Sequence, residues 1–290
     1  MYITDFEYDG VSLSSKGYMP CNFGASSGED VVDTGAKITF NKVAFNSGRK
    51  YHLTSSKYND CVSISFDICK NSDCFYSDEV ITNSEYVDIC RWLNRQEFKP
   101  LKLICNYYEH TNSNNSDIDE YCYYNGSFNI DEIKVGDILY GLRLTFESDS
   151  PFGYIPETTT LEFLSNGSAT VADNSDDTGW HYPTFKITCK ADGDLTLKNT
   201  THSVTTVIKN CKNGEVITVD SLNQIIMIDS YPISSANPTA THKIENDFNY
   251  IFPKVCNSRS KLGDNRSNVF TASLPCTIEI TTNRTVRKII

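Results

Sequence analysis

At 290 residues the chain exceeds the usual size of one hydrophobic core, and 12% aromatics with only 15 glycines and 9 prolines exclude a disordered or fibrous protein. A net charge of −11 excludes specific nucleic-acid binding as the expected role, because affinity for phosphate comes from clustered Lys and Arg and the 26 basic residues here are dispersed. The plain consequence of the acidic balance is solubility; an acidic wall beside a passage would also repel DNA phosphates and let the polymer slide.

The chain starts Met1-Tyr2-Ile3-Thr4-Asp5-Phe6-Glu7, alternating like a strand and lacking the basic start and apolar core of a secretory signal, so no export is expected. Period-two alternation then recurs in Val62, Ile64, Phe66 and Ile68. It breaks from about Asn83 to Gln96, where Tyr86, Ile89, Cys90 and Leu93 at i, i+3, i+4, i+7 predict one helix, capped by Asn83 or Ser84. Trp92 falls at the edge of that stripe, where an aromatic covers a core. Alternation resumes at Leu101, Leu103 and Cys105, and polar, aperiodic His110 to Tyr121 predicts an exposed loop. Asn125-Gly126 is a turn signal, and Leu142, Leu144 and Phe146 form another strand.

Ser148-Asp149-Ser150-Pro151 is the expected domain boundary, since Pro151 has no amide to donate to a central strand. Residues 1–150 read as a β-sandwich with one helix and 151–290 as a second, nearly all-β unit. Asp173, Ser175 and Asp177 alternate as in the start of a calcium loop, but Thr184 stands where the bidentate Glu belongs, so a plain loop is expected. Phe185, Ile187 and Cys189, and later Ile278 and Ile280, give further strands, with turns at Ala191–Asp194 and Lys212–Gly214. The longest apolar runs, such as Ile225–Ile228, fall far short of the about 20 residues of a membrane span.

Residues with chemical potential are few. Eleven cysteines are odd in number and scattered within strand patterns, which predicts reduced thiols; Cys69 and Cys74 have the spacing of half a metal knuckle with nothing to complete it. No phosphate-binding loop, dinucleotide fingerprint, HExxH or GxSxG occurs, and none of His52, His110, His181, His202 and His242 lies beside a recognisable nucleophile. No catalytic residue, cofactor or metal is therefore expected, and adjacent Asp131 and Glu132 read as a solvated turn. Trp180, His181 and Tyr182 form the most suggestive cluster for a sugar or partner contact. Six Asn-x-Ser/Thr matches, at Asn114, Asn125, Asn166, Asn199, Asn265 and Asn283, carry little weight without an export signal.

Two phrases carry a resemblance: Tyr124-Asn125-Gly126-Ser127-Phe128, and Leu144-Thr145-Phe146-Glu147-Ser148-Asp149-Ser150-Pro151-Phe152. Together with a strand-rich start and the helix around Cys90-Arg91-Trp92-Leu93, they resemble, in the same order, the distal tail (Dit) proteins of long-tailed, siphovirus-like bacteriophages. The second half, from Leu164-Ser165-Asn166-Gly167 through Tyr182–Ile187, Gly214–Asp220 and Phe248–Pro253 to Cys276–Ile280, is similar to that family's outer domain. It departs from the family pattern in a longer loop containing Gly263-Asp264-Asn265.

The resemblance implies a mainly β protein: an N-terminal belt domain (1–150) of sandwich or barrel type with one helix, and a C-terminal galectin-like jelly roll (151–290). It implies a non-enzymatic baseplate component of the virion tail tip, assembled in the bacterial host cytoplasm. Six copies would close a ring joining the tail tube protein above to the hub or tail-associated lysin below, with tape-measure and receptor-binding proteins as further partners and DNA passing through. No membrane or specific nucleic-acid partner is implied. A carbohydrate-binding module for host-surface adhesion is the alternative reading.

Overall fold

A computed structural model describes residues 2–24, 38–45, 48, 50–71, 79–110, 115–232, 242–257 and 266–287, with the backbone alone for 2 and 106–120. The protein is mostly β, with antiparallel sheets and two helices among the described residues. It divides into two compact units, Met1–Ile155 with Val286–Ile290, and Pro156–Thr285. No helix among the described residues is long and apolar enough to cross a membrane.

The first unit contains β1 (Tyr2–Tyr8), β2 (Val11–Ser12), β3 (Tyr18–Cys21), β4 (Ile38–Ala44), β5 (Tyr51–Tyr58), β6 (Ser63–Lys70), α1 (Asn83–Leu93), β7 (Lys99–His110), β8 (Asn115–Val135) and β9 (Ile138–Ser148), and β10 (Gly153–Phe163) leads out of it. The 21-residue β8 organises the unit. Its first part pairs with β7, from His110↔Asn115 to Lys99↔Gly126, and its second part pairs with β9, beginning at Gly126↔Ser148. One strand thus serves two sheets, β2-β1-β7-β8 and β8-β9-β6-β3, and changes partner at Gly126.

The corner explains the two signature phrases. A Cβ on Gly126 would lie 2.1 Å from the Glu147 carbonyl oxygen and 2.5 Å from Phe146 Cζ, so only glycine lets β9 approach this closely. Asn125 and Asp149 clasp the corner: Asn125 Nδ2 donates to Asp149 Oδ2 (2.7 Å) and the Asp149 amide donates to the Asn125 carbonyl (2.9 Å). Tyr8 Oη donates to the Gly126 carbonyl at 3.1 Å. Beyond the clasp, Ser148 Oγ donates to the Ser150 carbonyl (2.6 Å), and the Val62 amide donates to that same carbonyl (3.0 Å). The corner is a hydrogen-bonded lock between segments that the sequence places about twenty residues apart.

Aromatic rings fill the space behind it. Phe6 stacks on Trp92 (5.7 Å between centroids), Phe128 packs on Phe6 (5.5 Å) and on Phe146 (5.0 Å), and all four are buried with Leu101, Leu103, Leu142 and Leu144. Each such side chain removed from water contributes about 1.5–3 kcal/mol. Trp92 also has a polar task, since its Nε1–H donates to the Tyr8 carbonyl at 3.1 Å.

Helix α1 starts at Asn83, as its stripe predicts, but the cap is neither Asn83 nor Ser84. Thr82 is the cap, its Oγ1 accepting from the Glu85 amide while Glu85 Oε2 accepts from the Thr82 amide. Partial burial raises the Glu85 carboxyl, yet Lys70 Nζ at 2.8 Å and the Thr82 donors prevail and hold it below its ordinary range. The helix stops at Leu93, short of Gln96, because Ser127 on β8 takes hold of the chain: the Arg95 amide donates to Ser127 Oγ (3.2 Å), which donates to the Arg95 carbonyl (2.6 Å).

The segment expected to be a loop, His110 to Tyr121, is mostly ladder. Backbone pairing runs from Ile104↔Tyr121 out to His110↔Asn115, leaving 111–114 outside the described residues. Ladder hydrogen bonds satisfy N–H and C=O groups whatever the side chains are, so a polar hairpin arm needs no apolar alternation.

The second unit contains β11 (Gly167–Ala172), β12 (Gly179–His181), β13 (Thr184–Cys189), β14 (Gly193–Asn199), β15 (Val204–Cys211), β16 (Val216–Asp220), β17 (Ile225–Ser230), α2 (Ile244–Asp247), β18 (Val255–Asn257), β19 (Ser267–Ala272) and β20 (Cys276–Val286, which ends in the first unit). One sheet is ordered β17-β16-β13-β20 and the other β11-β19-β14-β15, with β12 and β18 as a separate ribbon. Phe185, Ile187, Ile217, Val219, Ile278 and Ile280 of the first sheet share a buried cluster with Leu195, Leu197 and Phe270 of the second. That is the two-layer sandwich the alternation predicts. Cys189 pairs in register with Cys276, and both are buried as small apolar residues beside Cys211.

Candidate functional site

Two surfaces and one buried cluster hold the chemistry, and the first is the ribbon of the second unit. Its register, Gly179↔Asn257, Trp180↔Cys256 and His181↔Val255, is set by the loop before it. In that loop Asp173 Oδ1 accepts from the Ser175 amide (2.9 Å), while Asn257 Nδ2 donates to the carbonyls of Ser175 (2.6 Å) and Asp177 (2.8 Å). An asparagine amide thus ties the backbone of this loop to β18. No cluster of three or more metal-ligating side chains forms among the described residues, and Cys74 lies outside them.

Strand alternation divides the three residues singled out from sequence. Trp180 and Tyr182 are on the outside, 39% and 45% exposed. Lys254, leading into β18, places Nζ 4.1 Å from the Trp180 ring centroid and 5.9 Å from that of Tyr182. The His202 ring meets Trp180 edge-on at 5.2 Å. His181 points inward, with Nε2 3.6 Å from Asp173 Oδ2, too long for a hydrogen bond; neither atom has a hydrogen-bond partner among the described residues. Asp173 lines a small concavity walled by Val171, Pro183, Val255 and Ile280, with Arg284 and Glu157 paired at 2.6 Å on its border. Lys254 reaches Trp180 through the pairing of β12 with β18 and His202 through the β14–β15 turn, so no local pattern in the sequence groups them with Trp180.

The second surface is the β4–β5 hairpin of the first unit, which pairs with no other strand among the described residues. Its register shifts between Asn41 and Lys42, so Ile38, Phe40, Leu53 and Tyr51 share a face, with Lys42 Nζ 5.7 Å from the Phe40 centroid. Phe40 is 51% and Leu53 50% exposed, and Ile38, Val43, Phe45 and Tyr51 are exposed as well. At the base Tyr58 packs edge-on against Phe152 (4.9 Å), and the Arg287 guanidinium lies 5.7 Å from the Tyr58 ring. The aromatic that ends the second signature phrase therefore anchors the hairpin.

The buried cluster is Glu215, His242 and Asp247. His242 Nδ1 is 2.7 Å from Glu215 Oε1, and Nε2 is 3.2 Å from Asp247 Oδ2. The imidazole bridges the two acidic side chains, one at each ring nitrogen. Glu215 is fully buried, and its Oε2 accepts from the Lys212 amide at 2.9 Å. Asn210 Nδ2 donates to Asp247 Oδ1 at 3.0 Å. Contact with Cys189 and burial push the nearby Cys211 thiol far up, so this thiol is not an activated nucleophile. The cluster is a fastener that ties α2 to the β15–β16 turn.

Comparison with known proteins adds the family. Residues 1–150 match the family described as "Phage tail protein N-terminal domain", and residues 152–282 match "Phage tail C-terminal domain". Among solved structures, the chain is similar to SPP1 Dit (gp 19.1), described as a paradigm of hub adsorption apparatus in Gram-positive infecting phages. The TM-score is 0.56 at 14% identity, covering 97% of this chain and 99% of that one. Identity this low speaks for the fold. A search of curated proteins gave no match. The resemblance to distal tail proteins read from the two signature phrases is met by the family and by the fold. With matches to both halves, the chain belongs to the phage tail protein family built from this N-terminal and C-terminal domain pair.

Proposed function

We propose that the protein is a distal tail hub subunit, six copies of which close a ring at the tail tip. The first unit forms the belt around the channel, and the second serves as an outer platform for receptor-binding or other peripheral proteins. The ring joins the tail tube to the hub or tail-associated lysin, and the role is structural, without catalysis. The domain division at residues 150 and 151 belongs to the same proposal, and the family membership and Dit-like fold support it.

The observation that carries the ring is the β4–β5 hairpin. A two-stranded hairpin is marginal in water by itself, and exposed Phe40, Leu53, Ile38 and Tyr51 on one face require a cover. A neighbouring copy supplies it, and because the hairpin would meet a different surface on that copy the contact is head-to-tail, the arrangement that closes rings. A Phe40→Ser, Leu53→Ser double variant is expected to abolish assembly while leaving the circular dichroism of the fold unchanged. Light scattering of the variant beside the parent protein checks this; equal masses would remove the hairpin from the interface.

A further inference from the structure

We propose that the outer face of the β12–β18 ribbon binds an anionic glycan, Lys254 pairing with a carboxylate on the sugar while Trp180 and Tyr182 lie along the pyranose ring. The proposal is independent of ring formation.

The polar atoms that this face offers are donors. Lys254 Nζ, held over Trp180 at 4.1 Å and near Tyr182 at 5.9 Å, makes no ion pair or hydrogen bond with another described residue. The Trp180 indole N–H and the Tyr182 hydroxyl are likewise unengaged among the described residues. Three acidic residues, Asp173, Asp176 and Asp177, lead into the ribbon; Asp173 is turned inward toward His181, and none of the three makes an ion pair with the Lys254 ammonium. In a chain of net charge −11, a cation with no ion-pair partner among the described residues, flanked by two half-exposed aromatics, is a local inversion of the protein's character.

That inversion selects the ligand. A neutral pyranose could lie on the same exposed ring surface, but it would leave the Lys254 ammonium at its edge without a counter-ion. A uronate leaves Lys254 where it is: its carboxylate meets the ammonium, its hydroxyls accept from the indole N–H and the tyrosine hydroxyl, and its C–H face lies on the exposed ring surface. An acidic peptide shares the charge but lacks the flat C–H face.

The test is isothermal titration of the full-length protein with tetragalacturonate, maltotetraose and hexaglutamate. Tetragalacturonate is expected to bind best of the three. Lys254→Gln should weaken it about tenfold or more, the worth of one charge-assisted contact, and Lys254→Arg should largely restore it. Circular dichroism verifies that both variants fold; Lys254 is half-buried at a loop end, and its ammonium fastens nothing else among the described residues. Absence of tetragalacturonate binding overturns the proposal. So does equal binding of maltotetraose untouched by Lys254→Gln. Hexaglutamate binding as tightly as the uronate would reassign the face to an acidic protein partner and sink the glycan reading.

Discussion

A Gly126→Ala variant is expected to lose at least about 3 kcal/mol of stability in the first unit, the upper end of what overpacking costs. The added methyl would meet the Glu147 carbonyl oxygen at 2.1 Å, and backbone cannot swing aside as a flexible side chain can. To admit it, β9 must move away from β8 where Gly126 pairs with Ser148, which also strains the Asn125–Asp149 clasp. Urea unfolding followed by Trp92 fluorescence in a Trp180→Phe background isolates the first unit, because each unit contains one of the two tryptophans. A loss under about 0.5 kcal/mol, the range of a neutral surface change, would mean that Gly126 is not the corner's packing limit.

His242→Ala should be equally costly in the second unit, by about 3–5 kcal/mol, because it leaves the fully buried Glu215 side chain without its imidazole partner. Asp247→Asn should cost less, under about 1 kcal/mol, since that side chain is closer to solvent and an amide oxygen can still accept from Asn210. Hydrogen exchange of residues 244–251 separates this account from general destabilisation. Loss of the fastener should open that segment first, including Phe248, which bridges to Ile208, and Asn249, whose amide donates to the Val207 carbonyl. Uniform exchange across the second unit would show that the cluster does not act on α2 in particular.

Much of the framework was written in alternation because one face of each sheet is buried. Leu142, Leu144 and Phe146, like Phe185, Ile187 and Cys189, lie in the cores where period-two reading puts them. Helix α1 was legible from its stripe, and its true cap was too: Thr82-Asn83-Ser84-Glu85 is the S/T-x-x-E signature, with Glu85 reaching back to Thr82. The β4–β5 hairpin escaped notice because its apolar face stays exposed among the described residues and a register shift interrupts its pattern. The arm through His110 was misread as loop since ladder pairing leaves no mark on polar side chains. On the ribbon, Trp180 and Tyr182 stood out by residue type, but strand direction separates them from His181. Lys254 joins them through a cross-strand pairing that no local pattern encodes.

The central claim, that this chain closes rings through its first unit, is tested most directly by the mass of the purified protein in solution, measured by light scattering across the micromolar range. The account predicts a species of six subunits, with a central hole in negative-stain images, that Phe40→Ser with Leu53→Ser returns to the monomer. A monomer at every concentration, with the amides of the β4–β5 hairpin as open to exchange as those of an unfolded peptide, would contradict it.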